Sequence, residues 1–351
     1  SNLLSKIKKS EKFQEGSYIF KTKDVVKKFM VKLLSLLNEH FPNETILKLV
    51  ITIPERENVI VDLLKNILAE LGIRNDRLVI LGHKQSYMYY AVSQPKELWA
   101  NSVGLFEFDE MGLRYTNLTV DKRTIPYIVG ADVHDLSDIM PYSVLQEKGD
   151  VKYMFLNTAN TMLHKKMVTT IYVTGKGFDQ RWATDALKEL CNGRRVFRGQ
   201  NLFNKGAAYA ARMLTDREKT KEFIFLDDDM LTSDISIRTY HNAKMHDVVL
   251  AKAGTLWSDI DESIDIIPDN EDEIQITDKN VLTRETRAHI LSLSGFAVRD
   301  NKTTRFTVRI RFADQYTCIV TLKDNGFGEF YPSTNRIWER YIKINGADSK
   351  N

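Results

Sequence analysis

One alternation of apolar strand and amphipathic helix, met twice in the N-terminal part of the chain, limits what the sequence can fold into more than any other feature. Lys48–Pro54 (KLVITIP) reads as a buried strand that its proline ends. An amphipathic helix over Val25–Phe41 precedes it, and a second over Val59–Leu71, closed by Gly72, follows. Arg77–Leu81 predicts another short strand, and a tyrosine-rich helix runs from Gln85 to Val92. Strands separated by helices in this way predict a parallel α/β arrangement. The order then returns with three strands in front of it: Val103–Asp109, Leu113–Val120 and Thr124–Ala131. A helix over Asn157–Lys166, a strand at Thr170–Thr174, a helix over Ala183–Cys191, a strand at Arg195–Arg198 and a helix over Leu202–Leu214 complete it. The second block has the order of one ribonuclease-H-like lobe. The first block starts at the helix and lacks the three leading strands.

The charged run Asp216–Glu222 (DREKTKE) is the natural linker. After it, strong alternation at Thr304–Phe312 and Tyr316–Leu322, with turn signals at Asn242, Gly254, Asp269-Asn270, Asp300-Asn301 and Asn325-Gly326, predicts an all-β sandwich or barrel. The expected division is therefore 1–222 and 223–351, with a partial first lobe at 1–100, a second lobe at 101–215 and the linker at 216–222. A length of 351 residues and an apolar fraction of 43% suit two soluble domains. A net charge of +3, with both signs mixed throughout, leaves no electrostatic footprint for nucleic acid. No apolar run approaches the roughly 20 residues that span a bilayer, so no membrane partner is expected. The two cysteines, Cys191 and Cys318, make neither a disulfide framework nor a zinc site, which suits a reducing, cytoplasmic setting.

Several segments carry a resemblance. Leu49–Pro54 (LVITIP), between its two helices, is similar to a VITVP strand of the seventy-kilodalton heat-shock chaperones, a family of the actin-like ATPase superfamily. Leu105–Gly112 (LFEFDEMG) sits where that family has its VFDLGGG phosphate loop. Ile171–Phe178 (IYVTGKGF) sits where it has the adenosine loop, and Asn204–Ala211 (NKGAAYAA) resembles the helix that follows. Phe223–Asp228 (FIFLDD) resembles the apolar-acidic interdomain linker. Asp269–Ile276, Ile290–Gly295 and Phe306–Asp324 resemble strands of the peptide-binding sandwich. The resemblance covers about Gln14 to Phe330, and it rests on the order and spacing of motifs that are individually weak. It implies an α/β plus all-β fold: ATPase-type lobes, the first incomplete, then a β-sandwich like the chaperone peptide-binding domain.

The resemblance also implies a nucleotide between two lobes, held by glycine loops whose backbone approaches the phosphates closely. Its matching positions are Asp109, Gly112, Gly175 and Gly177. The first phosphate loop and the lysine after it would lie in the missing strands. In the second loop Glu110, Met111 and Leu113 replace small residues, so side chains should obstruct a phosphate. Glu107 and Glu110 add negative charge, and like unit charges about 4 Å apart repel by roughly 4 kcal/mol at an effective dielectric of 20. The family's connecting glutamate is absent from Gly82–Ser86, and the part that covers the adenine is much reduced. These losses predict a pseudo-ATPase that holds no cofactor, although ATP with magnesium is what the family would bind. Asp109, Gly175 and Gly177 should then serve as a seam between the lobes.

The remaining chemistry points to binding. Asp227, Asp228 and Asp229 are consecutive, so their carboxylates diverge, and a solvated turn is expected rather than a metal site. No catalytic triad is readable. Family peptide sites grip an extended apolar segment through strand-type hydrogen bonds and an apolar pocket. The matching residues are Met245, Val248 and Val249 on one hairpin, and Ile264, Ile266, Ile267, Ile274 and Ile276 on the next. Alternation would equally place half of them in the core. Arg336–Ile344 is all that remains for the family's helical lid. The expected function is a protein- or peptide-binding module. One alternative is an active ATP-dependent chaperone whose first phosphate loop lies outside this chain. A second is an actin-like structural or polymerising protein, against which the added sandwich argues.

Overall fold

The structure is a computed structural model and describes residues 12–15, 17–146, 149–216, 218–241, 244–270, 272–296 and 299–344. The chain divides into two compact units, Ser1–Phe223 and Ile224–Asn351. The described part of the first unit opens on a short antiparallel hairpin, β1 (Lys12–Glu15) and β2 (Tyr18–Lys21), which leads directly into helix α1 (Thr22–His40). Then come β3 (Leu49–Ile53), α2 (Asn58–Glu70), β4 (Leu78–Gly82) and α3 (His83–Val92). β3 and β4 pair in parallel from Leu49↔Leu78 to Ile53↔Gly82 and make a two-stranded sheet. Helix α2 covers them because Ile60, Val61, Leu64, Ile67 and Leu68 recur on one helical face and are buried together.

The second block holds β5 (Ser102–Asp109), β6 (Gly112–Asp121), β7 (Tyr127–Asp135), α4 (Val151–Leu163), β8 (Val168–Thr174), α5 (Arg181–Leu190), β9 (Arg195–Arg198), α6 (Leu202–Thr215) and β10 (Phe223–Leu226). Its six-stranded sheet runs β10-β7-β6-β5-β8-β9. β5, β6 and β7 form an antiparallel meander, whereas β8 lies parallel to both β5 and β9. The core between sheet and helices is aromatic: Phe106, Phe108, Phe155 and Phe178 are each at most 2% exposed. Helix α4 starts at Val151, ahead of the expected Asn157, because Asp150 caps it, its Oδ1 accepting from the Tyr153 N–H at 3.0 Å. β7 starts at Tyr127 rather than Thr124, since Pro126 has no N–H to give a ladder. Phe223–Leu226, the segment that resembles an interdomain linker, is a strand, and the division between the two units falls within it. Its FIFL alternation buries Phe223 and Phe225.

The second unit is built from antiparallel strands. β11 (Ser233–His241), β12 (Lys244–Ala251), β14 (Glu273–Asn280) and β15 (Thr286–Ser292) form a sheet of order β12-β11-β14-β15. β13 (Asp261–Ile266), β16 (Phe306–Asp314), β17 (Thr317–Asp324) and β18 (Ile337–Lys343) form another, of order β13-β16-β17-β18. One core draws on both sheets, with Ile235, Ile237, Ile276 and Leu291 from the first and Val308, Ile310, Val320 and Leu322 from the second. Full burial of each such side chain is worth about 1.5–3 kcal/mol. β18 corrects one expectation: the segment left over for a helical lid is a strand. Trp338 and Ile342, four residues apart, lie opposite Leu322 and Cys318 of β17 and pack toward the core. That spacing fits a strand of period two as well as a helix, and pairing with β17 decides it.

Asp324, at the end of β17, knots the second unit together. It is fully buried, and its carboxylate takes both Arg299 guanidinium nitrogens at 2.9 Å, the Gly326 N–H at 2.8 Å, and the N–H and hydroxyl of Thr334 at 3.1 and 2.6 Å. Burial alone would raise its pKa. Arg299 and the surrounding donors outweigh that and hold it well below the usual carboxylate range.

Candidate functional site

The structure brings together the two loops expected to hold a nucleotide. Asp109 and Gly112 are the last pair of the β5–β6 hairpin, with Glu110-Met111 as its turn. Asp109 Oδ1 accepts from the Met111 N–H at 2.9 Å. Lys176, between the two glycines of the other loop, lies 3.6 Å from the Glu110 carboxylate. The glycines themselves are used up by packing. Gly175 has φ +100°, and a Cβ on it would stand 2.3 Å from the Phe108 carbonyl oxygen. A Cβ on Gly177 would stand 2.4 Å from the Phe108 ring, and one on Gly112 (φ +94°) would stand 2.6 Å from Ser137 Cβ. These three positions are closed by the chain's own atoms, on the sides where side chains would otherwise project. Leu113 does not obstruct the loop, contrary to expectation. It is fully buried in the core, while its N–H donates to the Met140 carbonyl at 3.0 Å. Met111 does project into solvent.

The seam between the two blocks lies elsewhere. Asp109, Gly175 and Gly177 pack within the second block. The blocks meet through α3 and α6, where a Cβ on Gly206 would stand 1.9 Å from the Ser86 carbonyl oxygen. Backbones this close admit only glycine at that position. The Tyr87 hydroxyl, buried, donates to the Val103 carbonyl at 2.9 Å, and the Tyr90 ring meets Tyr172 edge-on at 5.2 Å.

A charged cluster that sequence reasoning did not assemble lies beside this seam. Glu107 carries Arg114 at 3.2 Å on one oxygen and His83 Nδ1 at 3.6 Å on the other, an ion-pair rather than a hydrogen-bond distance. Arg114 also reaches Asp109 at 3.7 Å. The His83 ring stacks on Phe203 of α6 with centroids 3.8 Å apart. Burial works to raise the Glu107 pKa, but His83 and Arg114 prevail and leave it lowered. Asp109 is raised, chiefly by burial, with Glu107 adding to the shift. The signal for this cluster was present in the sequence. A two-residue turn at Glu110-Met111 forces Glu107 opposite Arg114, as the register shows. Electrostatically, the acid expected to repel a phosphate is already neutralised, and the cation that could attract one is occupied.

The eight peptide-site candidates separate into three groups. Ile274 and Ile276 are core residues of β14. Val248, Ile264 and Ile266 are half-buried against that core. Met245, Val249 and Ile267 are exposed at 57%, 45% and 48%. Ile264 and Ile276 do not share a hairpin as expected, because β13 pairs with β16 and β14 with β11 and β15, in separate sheets. β12 is an outer strand of its sheet, and Tyr240↔Met245 and Ser236↔Val249 face outward across β11. A cleft of about 460 Å³ opens between the connections after β13 and after β15, lined among others by Pro268, Asp272, Leu293 and Phe296. Asp227–Asp229 form the expected turn, with the Asp228 N–H on Asp227 Oδ1 at 2.9 Å and the Trp257 N–H on the Asp229 carbonyl at 3.1 Å. Among the described residues no group of His, Cys, Asp or Glu has the convergence a metal ion needs, and no helix is long and apolar enough to cross a membrane.

Two family models match the chain. One, described as "Family of unknown function (DUF5716) C-terminal", matches residues 1–228. The other, described as "Domain of unknown function (DUF8552)", matches residues 230–344. No curated protein matches it.

Proposed function

The chain belongs to the DUF5716 family through residues 1–228, and we propose that it is a protein- or peptide-binding module. On this reading it is built like a seventy-kilodalton heat-shock chaperone without a working ATPase, and it acts in the cytoplasm. The observation that carries the binding half is the outer strand β12. Among the described residues no strand pairs with its outer edge, and Met245 and Val249 are exposed on its outward face with Tyr240 beside them. An unpaired edge with exposed apolar side chains is a template for an added strand, whose backbone supplies affinity and whose alternate side chains supply specificity. The pseudo-ATPase half is supported by Gly112, Gly175 and Gly177, each committed to packing on Ser137 or Phe108. It is supported also by Arg114, which is held by Glu107 and Asp109.

The test is a titration of the full chain into a fluorescein-labelled, leucine-rich heptapeptide, read by anisotropy. Binding in the micromolar range is expected, and Met245→Lys and Val249→Lys should each weaken it at least tenfold. Absent binding, or variants that bind as well as the parent, would refute the binding site. Calorimetric titration with magnesium and ATP should show an affinity weaker than about 0.1 mM, which corresponds to roughly 5.5 kcal/mol. Tighter binding with hydrolysis would make the protein an active chaperone-like ATPase instead.

A further inference from the structure

The second block's sheet ends on one side in a strand bounded by arginines. β9 is Arg195-Val196-Phe197-Arg198, and Arg194 stands directly before it. It pairs in parallel with β8, from Thr170↔Arg195 to Val173↔Arg198, and among the described residues no strand pairs with its other side. Its backbone is therefore half used, and the register shows which half. The Gly199 N–H donates to the Val173 carbonyl at 2.8 Å. In a parallel ladder the N–H and C=O of one residue point to one side, and those of the next residue point to the other. Arg195 and Phe197 accordingly turn theirs toward β8, and Val196 and Arg198 turn theirs outward.

The side chains along that edge are cationic and unmatched. Arg195 and Arg198 are exposed, and Arg194 is half-buried. Arg114, Arg123, Arg299, Arg309 and Arg311 each hold a carboxylate, whereas among the described residues none of Arg194, Arg195 and Arg198 has an ion pair. The positive charge continues past the start of the strand. Lys166 Nζ lies over the Tyr115 ring, 5.7 Å from its centroid, and Arg194 acts on the same tyrosine: burial pushes its pKa up and the Arg194 charge works against that. Each arginine of β9 shares its face with an apolar side chain, because successive residues alternate. Phe197, beside Arg195, is 40% exposed and stacks on Tyr172 with centroids 5.5 Å apart; Val196, beside Arg198, packs against the core.

These charges select what the edge accepts. Two β9 strands paired in register would set Arg195 opposite Arg198 when antiparallel, and each arginine opposite its own kind when parallel. Like charges directly opposite destabilise a ladder, so a second copy is disfavoured. A strand of the other sign is favoured, since a guanidinium takes a carboxylate through two hydrogen bonds. We propose that β9 is a second docking edge, to which an extended acidic segment of another protein adds as a strand. The spacing sets its pattern as acid, apolar, apolar, acid. The two carboxylates lie on opposite faces against Arg195 and Arg198, and the apolar pair lies opposite Val196 and Phe197. The proposal does not rest on the reading of β12.

Fluorescence anisotropy of fluorescein-labelled GSEVYESG, titrated with the full chain at low ionic strength, tests this. The peptide should bind roughly fivefold or more tightly than GSQVYQSG, and its binding should weaken as salt is added. Arg195→Glu and Arg198→Glu should each weaken it by at least as much. Lys252→Glu, the same change of charge at an exposed position of the second unit, should leave it unchanged. Equal binding of the two peptides, or equal losses from all three variants, would overturn the proposal. Strand addition has its own readout. Adjacent residues of an added strand turn their N–H groups to opposite sides, so methylating the backbone nitrogen of the peptide's valine or of its tyrosine should abolish binding in one case and preserve it in the other. Equal effects would overturn the added strand. An oligothymidylate that binds where GSEVYESG does not would make the arginines a phosphate site and overturn the proposal as well.

Discussion

Gly175→Ala separates a glycine kept for packing from one kept for a phosphate. The residue has φ +100° and ψ 152°, a region nearly closed to side chains, and strain there costs about 1–3 kcal/mol. The new methyl would also stand 2.3 Å from the Phe108 carbonyl oxygen and 2.9 Å from its nitrogen. Those are backbone atoms of the central strand β5, held by β6 on one side and β8 on the other, so they cannot move aside cheaply. Overpacking of this kind adds about 1–3 kcal/mol. The sum, roughly 2–6 kcal/mol, corresponds to a fall in melting temperature of about 5 °C or more for a unit of this size. Gly72→Ala is the control. It shares a positive φ, +84°, but has no atom within 4 Å of the added Cβ, so only the conformational cost of about 1 kcal/mol applies. Differential scanning calorimetry without nucleotide compares the two. If Gly175→Ala melts within a degree of Gly72→Ala, packing is not what requires glycine at 175, and the pseudo-ATPase reading loses its main support.

Three further outcomes follow from the same geometry. Asp324→Asn should destabilise the second unit by about 3–5 kcal/mol in urea melts, because it leaves the buried Arg299 guanidinium without its counter-charge. The Asp324 pKa is depressed on folding, so its contribution is complete above the ordinary carboxylate pKa near 4 and declines as pH falls below it. The parent's urea midpoint should therefore drop on acidification more steeply than the variant's. Arg114→Ala should cost about 2–4 kcal/mol by stranding Glu107, and Arg114→Ala with Glu107→Gln should recover part of it, a coupling that a double-mutant cycle reads directly. Ile276→Ala should cost about 2–5 kcal/mol as a core truncation, whereas Met245→Ala should stay within about 0.5 kcal/mol; similar losses at the two sites would contradict their assignment to core and surface.

Most elements of the fold were legible because their signals are local. Ile60, Leu64 and Ile67 mark a helix face without reference to anything distant, and Val308, Ile310, Val320 and Leu322 mark strands in the same way. The failures occurred where a local signal was missed or a distant pairing decided the outcome. Asp150 was a readable N-cap, and α4 could have been started from it. The hairpin β1–β2 has four residues per strand and no buried side chain described in β2, so periodicity had little to act on. Arg336–Ile344 was unreadable for another reason. Trp338 and Ile342 satisfy a helical and a strand period alike, and the choice belongs to the β17 edge that accepts them.

The same distinction governs the candidate sites. For the nucleotide loops the glycines were visible, but not what each of them meets. A glycine after a strand serves a phosphate or a neighbouring backbone equally well, and Phe108 fills the space at Gly175 and Gly177 only because β5 and β8 are adjacent, while Ser137 fills it at Gly112. For the peptide site, alternation told that every second residue of β12 faces one way, not which way faces water. Ile237 of β11 settles it: its partners Val248 and Ile276 lie on the core side, so Met245 and Val249, an odd number of residues from Val248, must point outward. That β12 is an outer strand with a ladder to offer depends on β11 taking β14 as its other neighbour, a contact between segments some forty residues apart along the chain. Parity can be read from a few residues, but the free edge exists only once the sheet order is known. A binding surface of this kind is therefore legible residue by residue before it is legible as a surface.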